Sequence, residues 1–319
     1  MRLPILRRMS PDHRTGGGKE NQGVARDVRR AATAPASFWA MWLTVITLGC
    51  AGASAPSTAA APAGWVLSWS DEFDGPVGAP IDSTRWSFDL GDGCSAGNCG
   101  WGNQEREYYT DRRENIALNG QGQLAITALP TPNGLTCYYG ACRYTSAKVK
   151  TQGKRVAAPG RVEARIKLPA GQGLWPAFWM LGSSFPTTPW PASGELDIME
   201  NHGSHMGSTS SAIHGPGYFG NTPFVHSHTL ATGTFSDAFH TFAVEWDTKR
   251  IAFLVDGETH YVVSRADIEA RGPWAFDQPF FVILNLAVGG NFDGHPASDA
   301  IFPATMLVDY VRVFTRAGA

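Results

Sequence analysis

HTFAVEWDTKRIAFLVDGETHYVV, residues 240 to 263, breaks into three short runs rich in β-branched and aromatic residues. The first break is Asp247-Thr248-Lys249-Arg250. The second is Asp256-Gly257, a dipeptide that accepts the left-handed backbone of a tight hairpin turn. Consecutive strands joined by tight turns must pair antiparallel, because a parallel pair needs a crossover of a dozen or more residues.

The same pattern extends outward. In RVEARIKL (161 to 168), Val162, Ala164, Ile166 and Leu168 fall on one face, and MLVDYVRVF (306 to 314) alternates in the same way. Both are expected to be half-buried strands. The one helical segment expected is short, around SRADIEARG (264 to 272). Gly (36) and Pro (21) interrupt the chain too often for long helices, which excludes a helical bundle or coiled coil. With no linker-like shift in composition after residue 64, the expectation is one all-β domain, a sandwich of two large antiparallel sheets.

Charged residues make up 17% of the chain, and the net charge is −2 with the 26 Lys and Arg dispersed. That balance gives no reason to bind a polyanion, so nucleic acid is excluded as the expected partner. The 11 Trp, 8 Tyr and 17 Phe exceed what a core of this size calls for. Broad aromatic faces suit sugar rings, which makes carbohydrate the first ligand class to consider.

Residues 1 to 60 read as an N-terminal extension carrying a secretion signal, and 61 to 319 as the folded domain. FWAMWLTVITLG (38 to 49) is an uncharged run that follows Arg26, Arg29 and Arg30 and precedes the small residues CAGASAPSTAAAPAG. At about twelve residues it falls short of the roughly 20 that span a bilayer, so no stable membrane span is expected. Cleavage is expected near Ala53 or Ala61, and a lipoprotein anchored at Cys50 is the alternative. Removal of the leader leaves Cys94, Cys99, Cys137 and Cys142, an even number suited to an oxidising compartment. Each close pair surrounds turn residues, and bridges Cys94–Cys99 and Cys137–Cys142 are expected.

The chemistry concentrates in WPASGELDIMENHG (190 to 203), where Glu195, Asp197 and Glu200 stand among Leu196, Ile198 and Met199. Residues two apart on a strand share a face, so Glu195 and Asp197 point together. Glu200 joins them if a single bulge lies between Asp197 and Glu200. Two carboxylates about 5 to 5.5 Å apart cleave a glycosidic bond with retention, one as nucleophile and one as acid and then base. Asp197 between them would share a proton with Glu195, because three close negative charges ionise at high cost. From spacing alone, an acidic calcium-binding turn or a solvated strand face stays open.

SGELDIMENHG resembles the bulged E-x-D-x-x-E motif of glycoside hydrolase family 16, in the form found in its laminarinase-like members. The likeness continues through WSDEFDG (69 to 75), WGNQEREYYT (101 to 110), YTSAKVKTQG (144 to 153), GRVEARIKLPAGQGLWPAFWMLG (160 to 182), AIHGPGY (212 to 218), FHTFAVEW (239 to 246), PFFVILNLAVGGNFDG (279 to 294) and MLVDYVRVF, in the order of bacterial endo-β-1,3-glucanases. It covers nearly all of residues 65 to 314.

The resemblance implies a β-jelly roll with a concave glycan-binding groove. It implies Glu195 as nucleophile, Glu200 as acid/base and Asp197 as their helper. It further implies that Trp101, Asn103, Glu105, Arg165, Trp175, Trp179 and His214 bind substrate. On residues alone, the core reading of Trp175 and Trp179 is slightly favoured, and His214 reads equally as a surface histidine. The family often has Asn-Asn-Glu where this chain has Asn103-Gln104-Glu105. His202, His205, His226 and His228 are read as loop residues without a metal role. No cofactor is expected for catalysis, while the likeness points to a structural Ca²⁺ near Glu72 and Asp309. The implied function is a secreted, retaining endo-β-1,3-glucanase acting as a monomer on laminarin-type β-glucan. A mixed-linkage glucanase, another family 16 hydrolase or transglycosylase, or a non-catalytic β-glucan-binding protein are the alternatives.

Overall fold

The computed structural model describes residues 61–130 and 134–318. The apolar run 38 to 49, Cys50 and Ala53 lie outside the described residues. Two large sheets account for the described strands apart from one small hairpin, β6 (Thr136–Cys137) with β7 (Gly140–Ala141).

The ten-stranded sheet begins at an edge with β17 (Glu258–Ser264), β16 (Arg250–Val255), β15 (His240–Trp246) and β10 (Arg161–Lys167). It continues through β19 (Ala304–Arg316), β5 (Leu124–Pro130), β8 (Tyr144–Ser146) and β3 (Glu107–Tyr109). β1 (Trp65–Asp71) pairs with β19, and β4 (Ile116–Leu118) with β5. The seven-stranded sheet runs β14 (Phe224–Thr229), β13 (Ser208–His214), β12 (Glu195–Glu200), β11 (Leu174–Gly182), β18 (Phe280–Val288), β9 (Lys148–Lys150) and β2 (Ser87–Asp89). The chain passes repeatedly from one sheet to the other, from β10 to β11 and from β17 to β18, as in a jelly roll. Pairing is antiparallel as expected, with one exception: β3 lies parallel to β8.

The segment 240 to 263 forms the three expected strands. Asp256 (φ 51°) and Gly257 (φ 83°) are both left-handed, the backbone that matches the twist of a two-residue hairpin. The chain then enters helix α1 (Arg265–Glu269) through a reciprocal cap, in which the Ser264 hydroxyl accepts from the Asp267 N–H and the Asp267 carboxylate from the Ser264 N–H. Cys94–Cys99 and Cys137–Cys142 are bridged.

Val162, Ala164 and Ile166 are wholly buried between the sheets with Phe178, Met180, Leu196 and Ile213. Strand parity sends Arg161, Glu163 and Arg165 to the other face of the same sheet. There Arg161 donates to Glu163 and, at 2.7 Å, to Glu245, while the Tyr310 hydroxyl donates to Glu163 at 2.8 Å. The Arg161 and Glu163 side chains are only 6% and 8% exposed. Removing one partner leaves the others charged and dry. Arg161→Ala is therefore expected to cost about 3 kcal/mol in urea unfolding; a loss below about 1 kcal/mol would mean that water already screens the network.

Candidate active site

The bulge that the carboxylate spacing requires is present in β12. On one side Phe178 faces Met199 while Trp179 faces Asp197; on the other, Asp197 faces Ala212 and Glu200 faces Ser210. The extra residue restores the parity of Glu200, so Glu195, Asp197 and Glu200 all line one cleft while Leu196, Ile198 and Met199 enter the core. The Ile198 carbonyl inside the bulge is satisfied by the Ser211 hydroxyl at 2.8 Å.

The flanking strands supply the rest of the cleft. The Trp175 indole N–H donates to Glu200 at 3.0 Å, and that of Trp179 donates to Asn285 at 2.7 Å. Both tryptophans lie on the cleft face of β11 rather than in the core between the sheets. Trp175 stacks on Phe292, which in turn stacks on His202. Trp101, Asn103 and Glu105 enter from the loop held by the Cys94–Cys99 bridge. Glu105 accepts from Asn103 at 3.1 Å and from the Tyr109 hydroxyl at 3.2 Å. Gly290, at φ 89°, keeps this loop against the end of β18: a Cβ there would lie 2.7 Å from the Asn103 carbonyl oxygen.

Burial dominates the electrostatics of the three carboxylates. It pushes Glu195 up to about 8, with the nearby Asp197 charge adding to the effect. Glu200 is pushed up to about 7, where the His214 side chain offsets part of the burial. Asp197, 4% exposed, is held well above the usual carboxylate range by burial and then by Glu200. His214 sits opposite Glu195 in β13, its Nε2 3.1 Å from Asp197 Oδ2. At neutral pH the cluster therefore holds protons that isolated carboxylates would have lost.

One sequence expectation needs correction. Arg165 is not at the cleft: β10 belongs to the other sheet, where Arg165 pairs with Asp309 at 2.8 Å and covers Phe239. Alternation along RVEARIKL gives the face of a strand but not the sheet that contains it. At the expected calcium position, Glu72 and Asp309 each face an arginine, and neither contact tests the expectation. Glu72 accepts two hydrogen bonds from Arg312 at 2.9 and 2.7 Å, and Asp309 Oδ2 accepts from Arg165 at 2.8 Å.

Lys148 and Asn285 are cleft residues absent from the sequence reading. The Lys148 ammonium lies 4.4 Å from the Trp101 ring centre and 4.9 Å from that of Trp179. Asn285 was visible in principle, as the lone polar residue in FFVILNLAV. Gln104 is exposed at φ 59°, a conformation that Gly or Asn adopts at lower cost. Gln104→Gly is expected to raise stability by about 1 kcal/mol in urea unfolding; an unchanged midpoint would show that the loop relieves the strain in another way.

Residues 98–312 match the family described as Glycosyl hydrolases family 16. The chain is 38% identical over 280 residues to the beta-glucanase of Rhodothermus marinus, covering 86% of this chain and 93% of that protein. It is also 38% identical over 269 residues to glucan endo-1,3-beta-glucosidase A1 of Niallia circulans, covering 79% of this chain but 38% of that longer protein. Among solved structures, the laminarinase catalytic domain of Thermotoga maritima MSB8 superposes with a TM-score of 0.74 at 42% identity, over 80% of this chain and 99% of that one.

Proposed function

The chain belongs to glycosyl hydrolases family 16, and from that premise we propose that it is an exported endo-β-1,3-glucanase cleaving laminarin-type β-glucan with retention of anomeric configuration. The observation that carries this reading is the bulge in β12, which puts Glu195, Asp197 and Glu200 on the floor of one tryptophan-lined cleft.

In the first step a Glu195 oxygen attacks the anomeric carbon. The bond to the leaving oxygen breaks, and Glu200 gives that oxygen its proton. In the second step Glu200 takes a proton from water, whose oxygen attacks the same carbon and releases Glu195. Two inversions give net retention. While protonated, Glu195 donates toward Asp197, and the buried pair shares its proton so that Glu195 attacks in its ionised form. Burial holds Glu200 protonated close to neutral pH, as an acid requires. Trp175, by donating to Glu200, fixes the orientation of the acid, and the faces of Trp175, Trp179 and Trp101 offer stacking surface to pyranose rings. The hydrolysis uses no cofactor.

The support for export is the arginine-flanked apolar run 38 to 49 and the two disulfides. Among the described residues no helix is long and apolar enough to cross a membrane.

Incubating the protein separately with laminarin, barley β-glucan and agarose tests the substrate. Reducing ends are expected from laminarin first, with oligosaccharides of several lengths early in the reaction. Faster release from barley glucan would reassign the linkage, and binding of laminarin without any cleavage would make this a glucan-binding protein.

A further inference from the structure

Away from the cleft, three histidines meet where an edge of one sheet lies beside an edge of the other. His226 and His228 stand on β14, the outermost strand of the seven-stranded sheet, and His260 on β17, the outermost of the ten-stranded sheet. FVHSHT is thus a strand rather than the loop expected from sequence. His226 and His228 are two apart and share a face. They pair with Ser211 and Thr209 of β13, whose side chains are buried on the inner side of the sheet. Phe253 faces Tyr261 and Leu254 faces Thr259, which leaves His260 as the extra residue of a bulge. A bulge re-aims its side chain. The His260 ring centre lies 5.7 Å from that of His226 and 5.3 Å from that of His228.

The hydrogen-bond chain around His260 fixes its tautomer. The Ser211 hydroxyl spends its proton on the Ile198 carbonyl, so it can only accept at the 3.2 Å contact with His260 Nε2. His260 must therefore carry its proton on Nε2, which leaves a lone pair on Nδ1. That Nδ1 lies 3.5 Å from the Nδ1 of His226. Two imidazole nitrogens bound at about 2.0–2.1 Å to one tetrahedral ion lie roughly 3.4 Å apart. A ligating imidazole that donates its other N–H to a fixed acceptor is the arrangement metal sites use to hold a ring in place.

We propose that His226 and His260, already at ligand spacing, bind a divalent transition-metal ion of borderline softness, such as Zn²⁺ or Cu²⁺, through imidazole nitrogens, with Ser211 positioning His260 and His228 turning about its side-chain bonds to join as the third ligand. The ion would tie the free edges of the two sheets together at a point outside the cleft. Among the described residues, the group of three whose ligand atoms already lie within 4.8 Å of one another is Glu195, Asp197 and His214, so any test must separate that cluster from the histidines.

The full chain, stripped with chelator and dialysed, is titrated with ZnCl₂ near pH 7.5 by calorimetry and by thermal unfolding. Saturable binding of one Zn²⁺ with a rise in melting temperature is expected. The double variant His226→Ala, His228→Ala should abolish both effects while cleaving laminarin at the parent rate, which also reports that it folds. Ser211→Ala should weaken binding about tenfold. Glu195→Gln should leave the binding intact. Absence of saturable binding, binding unchanged in the double histidine variant, or binding lost in Glu195→Gln would each overturn the assignment.

Discussion

Glu195→Gln is expected to lower laminarin hydrolysis by a factor on the order of 10⁴ or more while leaving laminarin binding close to the parent value. The amide keeps the size and the hydrogen-bonding reach of the side chain. What it loses is the electron pair that attacks the anomeric carbon, an interaction realised only in the transition state, so the loss falls on kcat. Glu200→Ala separates the two carboxylates. Its loss on laminarin should be about 10²- to 10⁴-fold, and smaller on an aryl glycoside whose leaving group needs no proton. Added azide should accelerate the Glu200→Ala variant with such a substrate, by attacking the anomeric carbon of the glycosyl-enzyme and releasing the Glu195 carboxylate. A Glu195→Gln variant that retains a tenth of the parent rate would remove this residue from the nucleophile role.

The second large effect concerns stability against pH. Burial pushes the Glu195 carboxyl up to about 8 in the folded protein, against about 4.3 in an unfolded chain. A carboxyl with a raised folded value favours folding while protonated. Its contribution is complete below about pH 4 and is lost as the pH climbs through about 8. The shift corresponds to as much as about 5 kcal/mol, and Glu200, pushed up to about 7, acts in the same direction. Replacing Glu195 by the uncharged glutamine should remove the penalty that appears at alkaline pH. Melting temperatures of parent and Glu195→Gln should agree near pH 4 and diverge by at least about 5 °C at pH 9, with the variant the more stable. Parallel curves across that range would mean that solvent reaches the cluster and that burial does not hold its protons. The gain in stability from disabling the site would be the expected trade-off of a cleft built around buried charge.

The legible and illegible parts of this chain differ for a physical reason. The 240 to 263 segment declared three strands because hairpin contacts are local, and Asp256-Gly257 fixes its own turn. The bulge in β12 could be read from the spacing of Glu195, Asp197 and Glu200 because strand parity is a property of the backbone alone. Parity stops at the face of a strand. It put Trp175 and Trp179 together correctly, yet it could not tell that Arg165, facing away from Val162, Ala164 and Ile166, stands on the opposite sheet from the carboxylates. The partners of Glu72 and Asp309 were hidden in the same way, since Arg312 and Arg165 reach them only through the pairing of β10 and β19 and the docking of β1 on β19. His226 and His228 were read as loop because an edge strand with exposed positions on both faces has no alternation to betray it. Lys148 entered the cleft unannounced, its charge stabilised by two tryptophan faces that come from distant segments.

The most direct test of the double displacement assigned to Glu195 and Glu200 is the anomeric configuration of the first products, followed by proton NMR from the start of laminarin hydrolysis. The β-anomer should accumulate first, with the α-anomer growing in only at the rate of spontaneous mutarotation. An initial excess of the α-anomer would mean direct attack by water on the anomeric carbon, and Glu195 would then not be a nucleophile.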